Sequence, residues 1–320
     1  MASNTKEIQR RIKSIRNTRK ITRAMEMVSA AKMKKEVSRV LAIRTYAHAA
    51  WNVLTNLSIA FRKHNHCLLA AREVRKILVI LITSNRGLCG GFNSQIIKKT
   101  MQQVKRPHLL KVNRIGVERI DSSVPDEEIE FDFITVGKKG FQYLVANGYN
   151  VIASFDDLNY LPSADAVRPV ARIAIDDYTA EKYDKIVVAY TDYINPAVQQ
   201  PKLRQILPIS KIDLEKQIAE IDAHAEALGL NEREIDYKFE PKPAEVLEHI
   251  MPRLVEMQLY HAVLESNASK ESARMLAMRN ATDAATDMSN QLQHYFNQIR
   301  QTNITQEIAE ITSGRVALED

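Results

Sequence analysis

The chain has 320 residues, a formal charge of +6 and two cysteines, Cys67 and Cys89, which excludes a disulfide scaffold and a multi-cysteine zinc site. A hydrophobic content of 45% with 26% charged residues is that of a protein that buries a core, with length for two domains. No run of 18 uncharged apolar residues occurs, so no membrane-spanning helix is expected.

The charge is uneven. Residues 1–44 hold 13 Lys/Arg against 3 Asp/Glu, a net of +10, leaving −4 for the remainder. Such a start suits a transit peptide, a nucleic-acid arm or a docking face for an acidic partner. It has no apolar h-region, which excludes a secretory signal.

Residues 1–86 contain neither Gly nor Pro. A helix is predicted from about Thr5, with Asn4 or Thr5 as cap and Glu7 in the first turn. Ile8, Ile12 and Ile15 form an apolar stripe that Met25, Val28 and Val37 prolong less regularly. From Ile43 the steps of four and three tighten through Ala47, Ala50, Leu54, Leu57 and Phe61. That is a heptad seam, made for packing along another helix.

The middle alternates strands and helices. Lys76–Thr83 reads as a buried strand, followed by a Gly-rich turn and a helix from Asn93. A strand at Phe131–Val136, a helix at Lys139–Asn147 with Gly148 as its stop, and a strand at Val151–Phe155 come next. A helix at Ala164–Tyr178, a strand at Lys185–Tyr190 and an antiparallel edge strand at Leu203–Ile209 complete the series. The order predicts an α/β layer with a largely parallel sheet. Polar residues 105–130 and 211–235 read as loops or short helices on its rim.

Residues 253–313 again lack Gly and Pro. Met278, Ala281, Ala285, Met288, Leu292, Tyr295 and Ile299 predict a second seam, and Ile304, Ile308 and Ile311 fall on a different stripe. A continuous helix over these 61 residues would be about 90 Å long, whereas a compact globule of this size is roughly 50 Å across. Such a helix must project and be covered. The simplest arrangement pairs the two seams as an antiparallel coiled coil.

Candidate chemistry is thin. The turn Thr83–Asn93 sits where phosphate-binding loops sit, but lacks the Lys-Ser/Thr pair of a P-loop and the dinucleotide spacing. Cys89, near a helix N-terminus, would fit a nucleophile with a lowered pKa or a small structural thiol in a tight turn. No His is placed to serve it. His64 and His66 flank Asn65, as a chelate or a solvated helix end would. Asp156–Asp157 and Asp176–Asp177 fit loops and helix ends. The basic N-terminal face would suit nucleic acid, yet its charges surround the helix and aromatics are absent before Tyr46.

Four segments carry a family resemblance. Lys6–Met33 (KEIQRRIKSIRNTRKITRAMEMVSAAKM) resembles the N-terminal helix of the gamma subunit of F-type ATP synthases. Glu265–Asp283 (ESNASKESARMLAMRNATD) and Ile299–Ile311 (IRQTNITQEIAEI) resemble its C-terminal helix, and Ser84–Asn93 (SNRGLCGGFN) is similar to its Gly-rich turn. The resemblance spans the chain. It implies an antiparallel two-helix coiled coil formed by the chain ends, with a central Rossmann-like α/β domain. Residues 1–75 would be the N-terminal coiled-coil helix, 76–240 the α/β foot and 241–320 the C-terminal coiled-coil helix. It implies a rotor shaft inside an alpha/beta hexamer, coupling proton-driven rotation of a c-ring to ATP turnover on the beta subunits. The shaft itself would be non-catalytic, with no cofactor, no metal and no nucleic acid.

The resemblance also implies site residues. Arg300, Gln301, Thr305 and Glu307 match a cluster that hydrogen-bonds acidic loops of the beta and alpha subunits, and Met25 matches a position facing such a loop. Tyr237, Phe239 and Glu240 match a segment that meets the c-ring and epsilon subunit. Asn85 stands where the family usually has Asp, Ala284 replaces a common Asn, and Arg315 occupies a small-residue position. Residues 105–130 make the middle longer than in bacterial relatives, and a cysteine-bearing regulatory insert is missing. The motif begins at Lys6, leaving no room for a transit peptide. The location implied is the cytoplasmic side of the inner (plasma) membrane, with membrane contact only through partners.

Overall fold

The computed structural model describes residues 2–42, 67–70, 72–115, 118–120, 124–159, 162–210 and 243–319. They form helices α1 (Ala2–Ala42), α2 (Phe92–Val104), α3 (Lys138–Ala146), α4 (Ala164–Thr179) and α5 (Pro243–Glu319). The strands are β1 (Lys76–Ile82), β2 (Asn113–Ile115), β3 (Glu118–Ile120), β4 (Glu130–Val136), β5 (Val151–Phe155), β6 (Lys185–Tyr193) and β7 (Gln199–Leu207). The chain divides into two compact units, residues 31–273 and residues 1–30 with 274–320. Helices α1 and α5 each contribute to both.

In residues 31–273 the sheet order is β5-β4-β1-β6-β7. Strands β4, β1 and β6 run parallel, β5 continues that sense, and β7 closes the edge antiparallel to β6. The expected largely parallel sheet is therefore present. β1 alternates between two cores, because successive side chains point to opposite faces. Leu78, Ile80 and Ile82 face α4 and α5, together with Ile186, Val188 and Tyr190. Ile77, Val79 and Leu81 face the opposite way, with Ile96, Ile97 and Met101 of α2 and Leu144 of α3. From β1 the chain winds outward to β4 and β5, then returns to β6 on the other side of β1. That is the doubly wound topology.

Around α3, glycine serves both a positive φ and a close approach. Gly148, at φ 75°, ends α3. Its amide bonds the Val145 carbonyl and that of Tyr149 bonds Leu144, a Schellman stop that needs the left-handed region. Gly140 lies under the end of β1, where a Cβ would come within 3.0 Å of the Thr83 hydroxyl. Its amide donates to that same hydroxyl at 2.9 Å.

Residues 105–130 contain short helical turns at Pro107–Leu109 and Asp126–Glu128 and the antiparallel hairpin β2–β3. This rim segment also contributes Leu110, Val124 and Ile129 to the α2/α3-side core. Asp126 ties it together, accepting from the His108 amide at 3.2 Å and pairing with Lys111 at 3.3 Å.

Helix α5 has 77 residues, about 115 Å at 1.5 Å per residue. It starts ten residues before the breaker-free stretch and carries Pro252 inside. Proline there removes one backbone bond. Met251, Leu254 and Val255 are nevertheless buried in the core on either side of it, and that packing holds the helix through the break.

In residues 1–30 with 274–320, α1 and α5 pair antiparallel. Thr22 and Thr282 hydroxyls lie 2.8 Å apart, and Arg16 donates to Gln293 at 3.1 Å; six residues back along α1 correspond to eleven forward along α5. A line of buried and half-buried positions runs through Ile8, Ile12, Ile15, Arg19, Thr22, Glu26 and Ser29 on α1. On α5 one such line runs through Met278, Thr282, Ala285, Ser289, Leu292, Phe296 and Ile299, with Ala281 half-buried beside it. Both sets keep the step of four and three.

The seam differs from the apolar reading at several positions. Ser289 and Phe296 take the places expected of Met288 and Tyr295, and Thr282 is buried beside the half-buried Ala281; Val28, Met288 and Tyr295 are each more than half exposed. Small hydroxyl side chains let the backbones approach while bonding across the seam or to the preceding turn. The seam expected from Ile43 to Phe61 lies outside the described residues.

Candidate functional site

Helix α5 continues past its pairing with α1. Carrying the antiparallel step onward from Thr22–Thr282 and Arg16–Gln293 puts Arg300 about level with the first ten residues of α1. From Ile304 to Ser313 every side chain is exposed, with Ile304, Ile308 and Ile311 at 47%, 59% and 73%. Three adjacent isoleucines open to solvent on one helix are the kind of patch a partner covers.

Helical geometry arranges the candidate residues around that patch. At about 100° per residue, Ile304, Ile308 and Ile311 fall within about 60° of one another. Arg300 and Glu307, seven residues apart, lie along one border of the stripe, and Gln301 and Thr305 along the other. All four are exposed. The Thr305 hydroxyl donates to the Gln301 carbonyl at 2.9 Å, which leaves its oxygen as an acceptor. The surface is an apolar strip with a guanidinium, a carboxylate, an amide and a hydroxyl at its edges. Arg300 can form charge-assisted bonds with a carboxylate, and the amide can both donate and accept. The sequence motif located these residues; their arrangement around the isoleucines needed the helix to be shown unbroken to Glu319.

Met25 is half-buried on α1, beside the seam. The same antiparallel step sets it roughly 25–30 Å along the rod from Arg300. The structure therefore does not gather Met25 with the 300–307 cluster; they are two separate positions. Tyr237, Phe239 and Glu240 lie outside the described residues, as do His64 and His66. The Arg315 side chain also lies outside them, and Ala284 is exposed on α5, where nothing in the structure accounts for its identity.

The Gly-rich turn is bonded inward. Asn93 accepts from the Ser84 amide at 3.0 Å and donates to the Ser84 hydroxyl at 2.8 Å and to the Cys89 sulfur at 3.4 Å. Cys89 is buried among these groups and the Arg86 carbonyl, as a structural thiol would be. Leu88 stands at φ 62° and is 62% exposed at the tip of the turn. Asn85 joins this turn to its neighbours, accepting from the Lys138 amide at 2.9 Å and donating to the Asp156 carbonyl at 2.8 Å.

The acidic pairs sit at element ends, as expected. Asp156 faces Lys138 at 3.6 Å, Asp176 faces Arg172 at 3.8 Å and Asp177 faces Lys182 at 3.2 Å. Among the described residues no cluster of His, Cys, Asp or Glu could hold a metal ion. None of the described helices is long and apolar enough to cross a membrane.

A family model described as ATP synthase matches residues 4–318. The ATP synthase gamma chain of Legionella pneumophila (strain Corby) is 34% identical over 316 residues, covering 99% of this chain and all of the relative. That of Dehalococcoides mccartyi (strain ATCC BAA-2266 / KCTC 15142 / 195) is 37% identical over 318 residues and 99% of each chain. A chain of the Euglena gracilis mitochondrial ATP synthase, from a structure of OSCP, F1 and c-ring, shares the fold with a TM-score of 0.63 at 17% identity, covering 99% of this chain and 95% of that one. A chain of the Tetrahymena thermophila mitochondrial ATP synthase central stalk and c-ring matches with a TM-score of 0.54 at 25% identity, over 82% and 99%.

Proposed function

The chain belongs to the ATP synthase gamma-chain family, and we propose from that premise that it is the central rotor shaft of an F-type ATP synthase. It couples rotation of a c-ring to ATP synthesis or hydrolysis on the beta subunits of an alpha/beta hexamer. One observation carries the reading: α5 runs to Glu319 with its isoleucines exposed between two polar rows. A helix of that kind is explained by a sleeve around it.

The shaft is non-catalytic in this account. It acts by presenting different side chains to each beta subunit as it turns. A subunit that meets the Arg300 edge makes contacts different from one that meets the Gln301 edge, and the difference shifts its open and closed populations. Arg300, Gln301, Thr305 and Glu307 engage alpha and beta loops at the tip, and Met25 engages one farther along the rod. Tyr237, Phe239 and Glu240 meet the c-ring and epsilon subunit. The chain is held at the cytoplasmic face of the energy-coupling membrane through these partners.

The direct test is purification of the tagged chain from membranes. Alpha, beta, epsilon and c subunits are expected with it in fixed proportion. Recovery of the chain without alpha and beta subunits would overturn the reading.

A further inference from the structure

Within residues 31–273, the stretch of α5 from Met257 to Ser272 is enclosed. From Met257 to Ser272 only Tyr260 keeps more than a trace of exposure, and the enclosed residues include His261, Glu265, Asn267, Lys270 and Glu271. An apolar helix in an apolar groove can slip, since one ridge fits the next groove nearly as well. Directional bonds remove that freedom, and α5 has such bonds to two loops.

The first loop follows β5. The Asn267 amide donates to the Leu158 carbonyl at 3.0 Å and the Tyr260 hydroxyl donates to the Pro162 carbonyl at 3.2 Å. Arg39 of α1 donates to that same Pro162 carbonyl at 3.0 Å, so both long helices hold one loop. The loop is fixed in turn by Leu158, buried in the core, and by Ser163, which caps α4.

The second loop joins β6 to β7. The Ser272 hydroxyl donates to the Pro196 carbonyl at 2.6 Å. Gln199 braces that carbonyl at 2.9 Å and reaches the Ser272 oxygen at 3.4 Å. Asn195 accepts from the Ala197 and Val198 amides, each at 2.9 Å, and so closes the loop on itself.

Tyr260 and Asn267, seven residues apart, share one side of α5. Ser272 is displaced from them by about 140° around the axis. The helix is thus held from two sides by loops at the carboxyl ends of β5 and β6. Turning it in either direction stretches bonds on one side or the other.

We infer that Tyr260, Asn267 and Ser272, with Arg39, form a torque clamp: positioning residues that lock the long helices to the α/β domain so that rotation of the domain turns the shaft. The inference rests on the rotor reading above. It assigns a mechanical role to three carbonyls, those of Leu158, Pro162 and Pro196.

The test uses the assembled complex in membrane vesicles, carrying the double substitution Tyr260→Phe and Ser272→Ala, which removes two hydroxyl oxygens and little volume. ATP-driven ion pumping per ATP hydrolysed is expected to fall roughly threefold or more, because two directional holds are lost. ATP hydrolysis by the complex released from the membrane should stay within about twofold of the unsubstituted one, since the tip that meets the hexamer is untouched. An unchanged pumping ratio would overturn the clamp. So would a fall of released-complex hydrolysis in proportion to pumping, which marks a general folding defect. Should the double variant fail to assemble, Tyr260→Phe alone, at a half-buried ring, is judged by the same ratio. Absence of ATP-driven pumping with the unsubstituted chain would instead reject the rotor reading.

Discussion

Asn85 shows how one amide can tie three turns together. It uses its oxygen on the Lys138 amide and its nitrogen on the Asp156 carbonyl, and a side-chain amide offers both roles on separate atoms. Asn85→Ala should lower stability by about 0.5–2 kcal/mol, as a half-buried acceptor and an exposed donor lose this contact. Asn85→Asp keeps the acceptor and should cost roughly half as much; urea denaturation of the full chain measures both. The sequence marked Asn85 only as a departure from its family. Its partner lies 71 residues away, and no local pattern links the two.

Tyr183 supplies a pH dependence at the same scale. Burial, then its 2.6 Å bond to Asp132 and the nearby negative charge, push its hydroxyl well above the ordinary tyrosine value of 10.0. With the folded pKa raised, the contribution is complete below the ordinary value and is lost as pH rises from there through the folded one. The full chain should lose stability on the alkaline side of about pH 10, and Tyr183→Phe should flatten that decline. An alkaline limb identical in the two proteins would contradict the assignment.

At the scale of elements, the paired rod is held by a seam that mixes polar side chains with apolar ones. A double-mutant cycle of Thr22→Val and Thr282→Val should give a coupling of about 0.5–1.5 kcal/mol in thermal unfolding, since the hydroxyls meet each other. A coupling of zero would mean that each bonds only its own helix. Gly140→Ala should destabilise the α/β domain by about 1–3 kcal/mol, because the added methyl meets Thr83 and Leu81.

Strands and helices of the α/β domain were legible because long apolar runs alternate with turn residues; β1, β4 and β5 lie within one residue of their expected bounds. The seam was half legible. Ile8, Ile12 and Ile15 announce themselves, but Thr22, Ser29, Thr282 and Ser289 are buried hydroxyls that a hydrophobic pattern passes over. Proline removes a helix bond, and core packing on either side of Pro252 carries α5 through it.

At the scale of the whole molecule, the governing fact is a helix end that the chain leaves uncovered. The purified chain alone should self-associate through Ile304, Ile308 and Ile311, and changing all three to Ser should shift it toward monomer in sedimentation. Monomeric behaviour of the unsubstituted chain at high concentration would count against an apolar docking surface there. The length of the ends was readable from the absence of Gly and Pro, and with it the need for a cover. What provides the cover came from the motifs at 6–33 and 265–311, since physics alone leaves any sleeve possible. The polar edges of the tip became visible only once Arg300, Gln301, Thr305 and Glu307 were placed around the isoleucines. Arg300→Ala with Gln301→Ala should lower ATP turnover of the assembled complex by roughly tenfold, the order expected when a charge-assisted contact is lost. Unchanged turnover would remove the cluster from the account.

The claim that this chain is a shaft is tested most directly by watching it turn. With the alpha/beta hexamer immobilised and a visible marker fixed to the α/β domain of the chain, addition of ATP should drive sustained rotation in one direction, at a rate that follows ATP hydrolysis. Steady hydrolysis with a stationary marker firmly attached to the domain would contradict the account.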